Sequence, residues 1–309
     1  MRPVLLIDGN NFMFAAQHGS KRLTAGEQEV TAVFGFLAAL RNVCERFPDA
    51  VPMVLWDSSP SWRFGLYADY KGNRDKNPAI VQAKEALKTQ RPLVKEVLTR
   101  MGVRQYSIKN QEADDLAGDL SRKLAARGHR VILVTRDGDW QQLVNDQVSW
   151  YDHKTEKVIK PSTFEDDTGY KNTVRFLEAK AIHGDSSDNI PGVGGLGEGA
   201  AKMILQDHAN LHEFFALWPA IRANIEKGSP WSRYRKKIDQ AVEDDGTLKR
   251  YERNRALMQL TKTYRPEEYQ NPSRYDEEAL KQMLGRLGFH SILHKFERWM
   301  LPFNGKLTE

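Results

Sequence analysis

Four strand-like segments in the first half of this 309-residue chain, three of them short apolar runs, are each followed closely by acidic residues. Val4-Leu5-Leu6-Ile7 runs into Asp8, and Val51-Pro52-Met53-Val54-Leu55-Trp56 runs into Asp57. Residues 103–108 precede Glu112-Ala113-Asp114-Asp115, and Val131-Ile132-Leu133-Val134 precedes Asp137 and Asp139. Continuous apolar runs of this kind suit strands buried on both faces. Between the first two, apolar residues recur at Val30, Val33, Phe34, Leu37, Leu40 and Val43, the spacing of a helix with one buried face. Residues 80–101 read as a long helix or helix pair, and 114–127 as another. Strand and helix in alternation predict an α/β fold, a central and mostly parallel sheet with helices on both faces. After about residue 166 the strands stop, and 172–183, 199–206, 210–226, 248–261 and 277–287 have helical texture. The expected division is an α/β core over 1–166 and a helical lobe over 167–309.

Ligands of open α/β sheets bind at the carboxyl ends of the strands, so Asp8, Asp57, Asp137 and Asp139 should share one edge with Glu112, Asp114 and Asp115. Asp185 and Asp188, in Gly184-Asp185-Ser186-Ser187-Asp188-Asn189, complete a set of nine. Taken singly, each acid suits a turn or a helix cap. Taken together, crowded carboxylates repel unless a cation sits among them. Oxygen donors without Cys or His select Mg²⁺ or Mn²⁺ over zinc. A set this large suggests two ions, which about 4 Å apart activate a water and stabilise the leaving oxygen of a phosphodiester. On a helix Glu112 and Asp115 lie roughly 60° apart, and Asp114 joins them only if Glu112 is a non-helical cap. The single cysteine, Cys44, excludes an internal disulfide and a cysteine-rich zinc site. His290 and His294 lie in an apolar segment and read as packing or surface residues.

Lysine and arginine total 46 and aspartate and glutamate 41, a net charge of only +5. Removing the nine acids leaves 32 against 46 bases, so the rest of the chain carries +14. The bases are sorted: between Trp62 and Lys109 eleven Lys or Arg face four acids, with Trp62, Tyr67 and Tyr70 among them. Bases interleaved with aromatics suit a single-stranded nucleic acid. Residues 190–202 hold Gly192, Gly194, Gly195, Gly197 and Gly199 and lead into a helix carrying Lys202. Glycines permit close backbone approach, and amides at a helix start bind phosphate. No apolar run approaches the ~18 residues of a membrane span, and the N-terminal apolar stretch is too short for a signal peptide. A cytoplasmic location is expected.

Five motifs, in order, carry a resemblance. Leu5-Leu6-Ile7-Asp8-Gly9-Asn10, Tyr70-Lys71-Gly72-Asn73-Arg74, Glu112-Ala113-Asp114-Asp115, Thr135-Arg136-Asp137-Gly138-Asp139-Trp140 and Gly184-Asp185-Ser186-Ser187-Asp188-Asn189-Ile190-Pro191-Gly192-Val193 resemble the flap endonuclease family. That family includes the 5′ nuclease domain of bacterial DNA polymerase I and the stand-alone 5′-3′ exonucleases of bacteriophages. The resemblance implies a first metal set of Asp8, Asp57, Glu112, Asp114 and Asp115, and a second of Asp137, Asp139, Asp185 and Asp188. Lys71 and Arg74 match the basic pair that contacts the scissile phosphate at the foot of a helical arch, here about 71–101. Lys76 and Lys84 follow on that arch as DNA contacts, and Tyr70 would stack near an unpaired 5′ end. Gly192, Gly194, Gly197 and Lys202 resemble the helix-hairpin-helix-type element that grips duplex phosphates, often with K⁺.

The implied activity is that of a structure-specific 5′ nuclease, both flap endonuclease and 5′-3′ exonuclease. It would use two Mg²⁺ ions, with Mn²⁺ able to substitute, and leave 5′-phosphate and 3′-hydroxyl ends in replication and repair. Expected partners are DNA with 5′ flaps, nicks or free 5′ ends, RNA–DNA hybrids, and a separate DNA polymerase acting in trans on a monomeric nuclease. Two rivals stand beside this reading. A PIN-type ribonuclease would not need the basic arch or the glycine hairpin, and a non-catalytic junction binder would not keep every clustered acid, since unneeded like charges cost stability.

Overall fold

The structure is a computed structural model that describes residues 1–19, 21–73, 78–226, 228–270 and 273–307. In chain order its first elements are β1 (Val4–Asp8), α1 (Gly9–Gly19), β2 (Thr24–Ala25), β3 (Gln28–Glu29), α2 (Thr31–Arg46) and β4 (Val51–Leu55). There follow α3 (Arg63–Leu66), α4 (Pro78–Arg100), β5 (Arg104–Tyr106), α5 (Ala113–Ala126), β6 (Val131–Val134), β7 (Val148–Tyr151) and β8 (Val158–Ile159). Then come α6 (Phe164–Thr168), α7 (Thr173–His183), β9 (Gly184–Asp185), β10 (Ile190–Pro191), α8 (Glu198–Asp207) and α9 (Leu211–Ala223). The last are α10 (Arg235–Glu243), α11 (Gly246–Met258), α12 (Glu277–Arg286), α13 (His290–Leu293) and α14 (Phe296–Met300).

The first apolar run, β1, is buried at every position and takes the middle of a sheet ordered β5-β4-β1-β6-β7-β8. It pairs in parallel with β4 on one side and β6 on the other, and only β8 runs antiparallel, at the edge. This is the mostly parallel sheet that the alternation predicts. Strands β7 and β8 were not anticipated, because Ser149 interrupts the apolar run of β7 and β8 has only two residues. Helix α2 buries Val33, Phe36, Leu37, Leu40, Val43 and Cys44 along one face. α4 is one continuous helix with Pro92 inside it, and it sends Val94, Val97 and Leu98 into the same core. Each such side chain contributes about 1.5–3 kcal/mol through its burial.

Two compact units divide the chain. The first comprises the described residues of 1–61, 76–159 and 260–309, and the second those of 62–75 and 160–259. The expected single boundary after residue 166 therefore differs from this arrangement at both ends. Leu280, Met283 and Leu284 of α12 join the core that holds α2 and α4, and the Arg122 guanidinium on α5 donates to the carbonyls of Leu260 and Lys262. An amphipathic helix advertises that it buries a face; the sequence does not say against which partner.

Within the second unit, α7, the β9–β10 hairpin and α8 follow one another, and α11 packs on α7. Asn254 Nδ2 of α11 satisfies the carbonyls of Ala181 at 3.2 Å and Pro191 at 2.8 Å, tying the hairpin to the helices. Helix α10 went unread because only Ile238 and Ala241 of its nine residues are buried. Among the described residues no helix is long and apolar enough to cross a membrane.

Candidate active site

Parallel pairing brings the carboxyl ends of β4, β1 and β6 side by side, and each is followed by an acid. Asp8, at the end of the middle strand, is buried, with 7% of its surface exposed. Its Oδ1 accepts from the Asn11 N–H at 2.9 Å and its Oδ2 from the Thr135 hydroxyl at 3.0 Å. Burial first, then the charge of Asp57, with a smaller push from Asp137, raises this carboxyl to about 7. The same Thr135 oxygen accepts from the Asp137 N–H at 3.0 Å, so one hydroxyl links the acids after β1 and β6.

Asp57 Oδ1 accepts from the Ala113 N–H at 2.8 Å, joining the end of β4 to the first turn of α5. That turn is built as a capping box. Glu112 is the extended cap residue (φ −92°, ψ 159°), and its N–H donates to Asp115 Oδ2 at 3.2 Å. Glu112 therefore is the non-helical cap, the condition on which Asp114 was to join the set. Asp114 accepts from Trp140 Nε1 at 2.6 Å, and Asp137 Oδ1 accepts from the Asp139 N–H at 2.8 Å. Seven of the nine predicted acids thus lie on one edge of the first unit, linked by short hydrogen bonds. Asn11, Thr135 and Trp140 hold them in place. Of these, Thr135 and Trp140 stand at the ends of the Thr135–Trp140 motif, which was the available signal.

The donor set is all oxygen, which suits a hard divalent cation. Asp8 is buried and raised to about 7 beside Asp57 and Asp137, and a cation placed there would offset that like-charge repulsion. As the side chains stand, no three His, Cys, Asp or Glu among the described residues form a ready metal cage.

The other two acids belong to the second unit. Asp185 ends β9, where Lys180 Nζ lies 2.9 Å from its Oδ2 and the Ser187 hydroxyl 2.7 Å from its Oδ1. Burial alone would raise this carboxyl, but Lys180 and Ser187 hold it down at about 2. Lys180 was missed by the sequence reading; its place five residues before Asp185, across a helix end, was the only clue. Asp188 receives the Tyr70 hydroxyl at 2.8 Å, and its Oδ2 lies 3.9 Å from Lys71 Nζ. The structure thus brings Tyr70 and Lys71 together with Asp188.

Tyr70 differs from expectation. Its side chain is 2% exposed and packs with Ile190, Leu257 and Met258, while Lys71 Nζ lies 4.8 Å from the ring centroid. That ring is covered and offers no face for a base. Arg74 and Lys76 lie outside the described residues, and Lys84 is exposed on α4.

The glycines divide by role. A Cβ on Gly192 would meet the His183 carbonyl oxygen at 2.6 Å, and one on Gly194 (φ +54°) would meet Ala241 Cβ at 2.3 Å. These two are required by packing. Gly197, which caps α8, is exposed and has nothing within 4 Å of a Cβ position, so packing does not require a glycine there. Lys202 is paired with Glu198 at 2.9 Å.

A sheet edge carrying seven clustered acids suits a metal-dependent phosphodiesterase. The family profile described as 5′-3′ exonuclease, N-terminal resolvase-like domain, matches residues 3–169, and the chain belongs to that family. It is 30% identical over 303 residues to the thermostable DNA polymerase I of Thermus aquaticus, a match covering 95% of this chain but 33% of the polymerase. It thus spans about one third of that relative's length. It is 27% identical to the 5′-3′ exonuclease of Buchnera aphidicola, covering 73% of this chain and 75% of that one. A bacteriophage T5 flap endonuclease in complex with DNA and metal ions shares the fold, with a TM-score of 0.65 at 20% identity over 97% of this chain and 99% of that one.

Proposed function

We propose that this chain is a divalent-metal-dependent 5′ nuclease that cuts DNA at 5′ flaps, nicks and free 5′ ends. The observation that carries the proposal is the acid edge, where Asp8 sits between Asp57 and Asp137 and is pushed up to about 7. Asp8, Asp57, Glu112, Asp114, Asp115, Asp137 and Asp139 would hold the ions, and Asp185 and Asp188 are proposed as further ligands. Mg²⁺ is the expected ion, since carboxylates without softer donors suit it. When bound, such ions supply an activated water and charge stabilisation of the leaving 3′ oxygen.

The chain's own residues do the rest. Thr135 and the Asn11 N–H orient Asp8, the α5 capping box fixes Glu112 and Asp115, and Lys71 offers a cation for the scissile phosphate. The amides at Gly197 and the start of α8, which has no side-chain cap, are proposed to receive duplex phosphates, with K⁺ as a companion ion. A DNA polymerase acting in trans is a further proposed partner, in keeping with the similarity to a DNA polymerase I.

The test incubates the protein with 5′-labelled flap, nicked-duplex, RNA–DNA hybrid and RNA substrates, with Mg²⁺ or with EDTA. Metal-dependent release of a short oligonucleotide from the flap supports the proposal. Tight binding without cleavage would make the chain a junction binder, and preference for RNA would make it a ribonuclease.

A further inference from the structure

Two cations on α4, Arg91 and Lys95, have no part in the site described above. They stand four residues apart, hence one turn apart on one face, and both are half-buried. Lys95 Nζ lies 5.1 Å from the Trp56 ring centroid. Gln105 fixes that placement, because its Oε1 accepts from Trp56 Nε1 at 3.0 Å while its Nε2 donates to the Lys95 carbonyl at 3.0 Å. Trp56 is followed directly by Asp57, so the ammonium stands beside the acid edge of its own unit.

Neither cation has an acid of its own among the described residues. The two acids of α4 are engaged elsewhere, Glu85 with Lys88 and Glu96 with Arg100, each at 3.9 Å. Arg91 Nε is buried and meets no acceptor. A desolvated donor of this kind is destabilising, and like charges one turn apart on a helix repel. Burial, and then the Arg91 charge, push the Lys95 ammonium down from its ordinary value, with Asp57 acting in the opposite sense. One anion with several acceptor oxygens would relieve every one of these costs. Arginine offers a planar fork of donors to such a group, and lysine a point charge.

We propose that Arg91 and Lys95 form a phosphate subsite that takes a phosphodiester of the substrate strand next to the one that is cut. This rests on the nuclease reading above, in that it places the cut at the adjoining acid edge. The pair sets where the strand lies over that edge; it does not take part in bond breaking.

The experiment compares the full chain with an Arg91→Gln/Lys95→Gln double variant and a Lys95→Arg variant. Affinity for 5′-flap DNA is measured by fluorescence anisotropy in EDTA over a range of salt, with Tm recorded for each protein. Losing one phosphate contact on a single strand should make the slope of log affinity against log salt shallower by about 0.7. The double variant should bind about tenfold more weakly, while Lys95→Arg stays within about twofold of wild type. In Mg²⁺ the double variant should show a larger change in KM than in kcat. Unchanged affinity and salt slope in the double variant would overturn the subsite. So would an equal loss in Lys95→Arg, which would make Lys95 a packing residue on Trp56, and so would a wild-type chain that does not bind flap DNA. A wild-type chain that binds but does not cut in Mg²⁺ sinks the nuclease reading, while the EDTA comparison still decides the subsite.

Discussion

The Lys71 ammonium lies 3.9 Å from Asp188 Oδ2, and the Lys71 N–H donates to the Asp188 carbonyl at 2.8 Å. The second contact holds Lys71 in the left-handed region, φ 57°, where a side chain with a Cβ pays about 1–2 kcal/mol. A lysine kept there at such a cost points to a use for its charge. Replacing it by alanine should slow cleavage about a hundredfold, the scale of removing one aimed charge stabiliser, while flap affinity changes only a few-fold. Lys71→Gly should be as slow yet at least as stable as Lys71→Ala by urea titration, because glycine accepts this φ freely. An unchanged rate in either variant would remove Lys71 from the reaction.

Asp8 makes stability depend on pH in a defined direction. Burial, then Asp57 and Asp137, raise it from 3.8 to about 7. Between those values the folded chain holds a proton that the unfolded chain releases, so stability falls as pH rises through that window. The shift corresponds to about 4 kcal/mol once the rise is complete. In EDTA, the urea midpoint should drop from pH 5 to pH 8 in wild type and much less in Asp8→Asn. Mg²⁺ should offset the drop. An equal pH dependence in both proteins would mean that Asp8 is not crowded by its neighbours.

Tyr70 tests the difference between a stacking platform and a brace. Its hydroxyl meets Asp188 at 2.8 Å and its ring is buried. Tyr70→Phe should therefore cost about 1 kcal/mol of stability for the lost hydrogen bond and slow cleavage by misplacing Asp188. Affinity for a single-stranded 5′ arm should not change. Weaker arm binding by Tyr70→Ala at undiminished stability would instead restore the stacking role.

Much of this fold is legible because buried strands announce themselves. Val4–Ile7 and Val131–Val134 are unbroken apolar runs, and they became adjacent parallel strands whose following acids lie on one edge. What the sequence could not display was partner choice. Leu280, Met283 and Leu284 show a helical face equally suited to either unit, and only the packing sends them into the first. The side chains that hold the acids were harder still. Lys180 and Asp185 make a close pair, yet a lysine before a helix end usually serves the helix dipole. Tyr70 sits among bases, where aromatic rings suit a nucleic acid, and its burial comes from Ile190, Leu257 and Met258, all far along the chain.

The glycine turn separates packing from binding. Gly194→Ala should destabilise the chain by several times RT, because its Cβ would meet Ala241 at 2.3 Å in a left-handed backbone. Gly197→Ala meets nothing and should stay within about 1 kcal/mol of wild type. If duplex phosphates dock on the amides beside it, Gly197→Ala should weaken duplex affinity while Tm holds. Equal affinity in Gly197→Ala would move the duplex site elsewhere.

The proposed function places metal-dependent cleavage of a 5′ strand at the acid edge. Asp137 is bonded through its Oδ1 to the Asp139 N–H and faces Asp8 across Thr135, so Asp137→Asn removes charge with little change of shape. The decisive measurement is the single-turnover release of oligonucleotide from a 5′-labelled flap in saturating Mg²⁺, with flap affinity measured in parallel. Asp137→Asn should abolish release while affinity stays within a few-fold of wild type; release at the wild-type rate would contradict the assignment of this edge as the catalytic metal site.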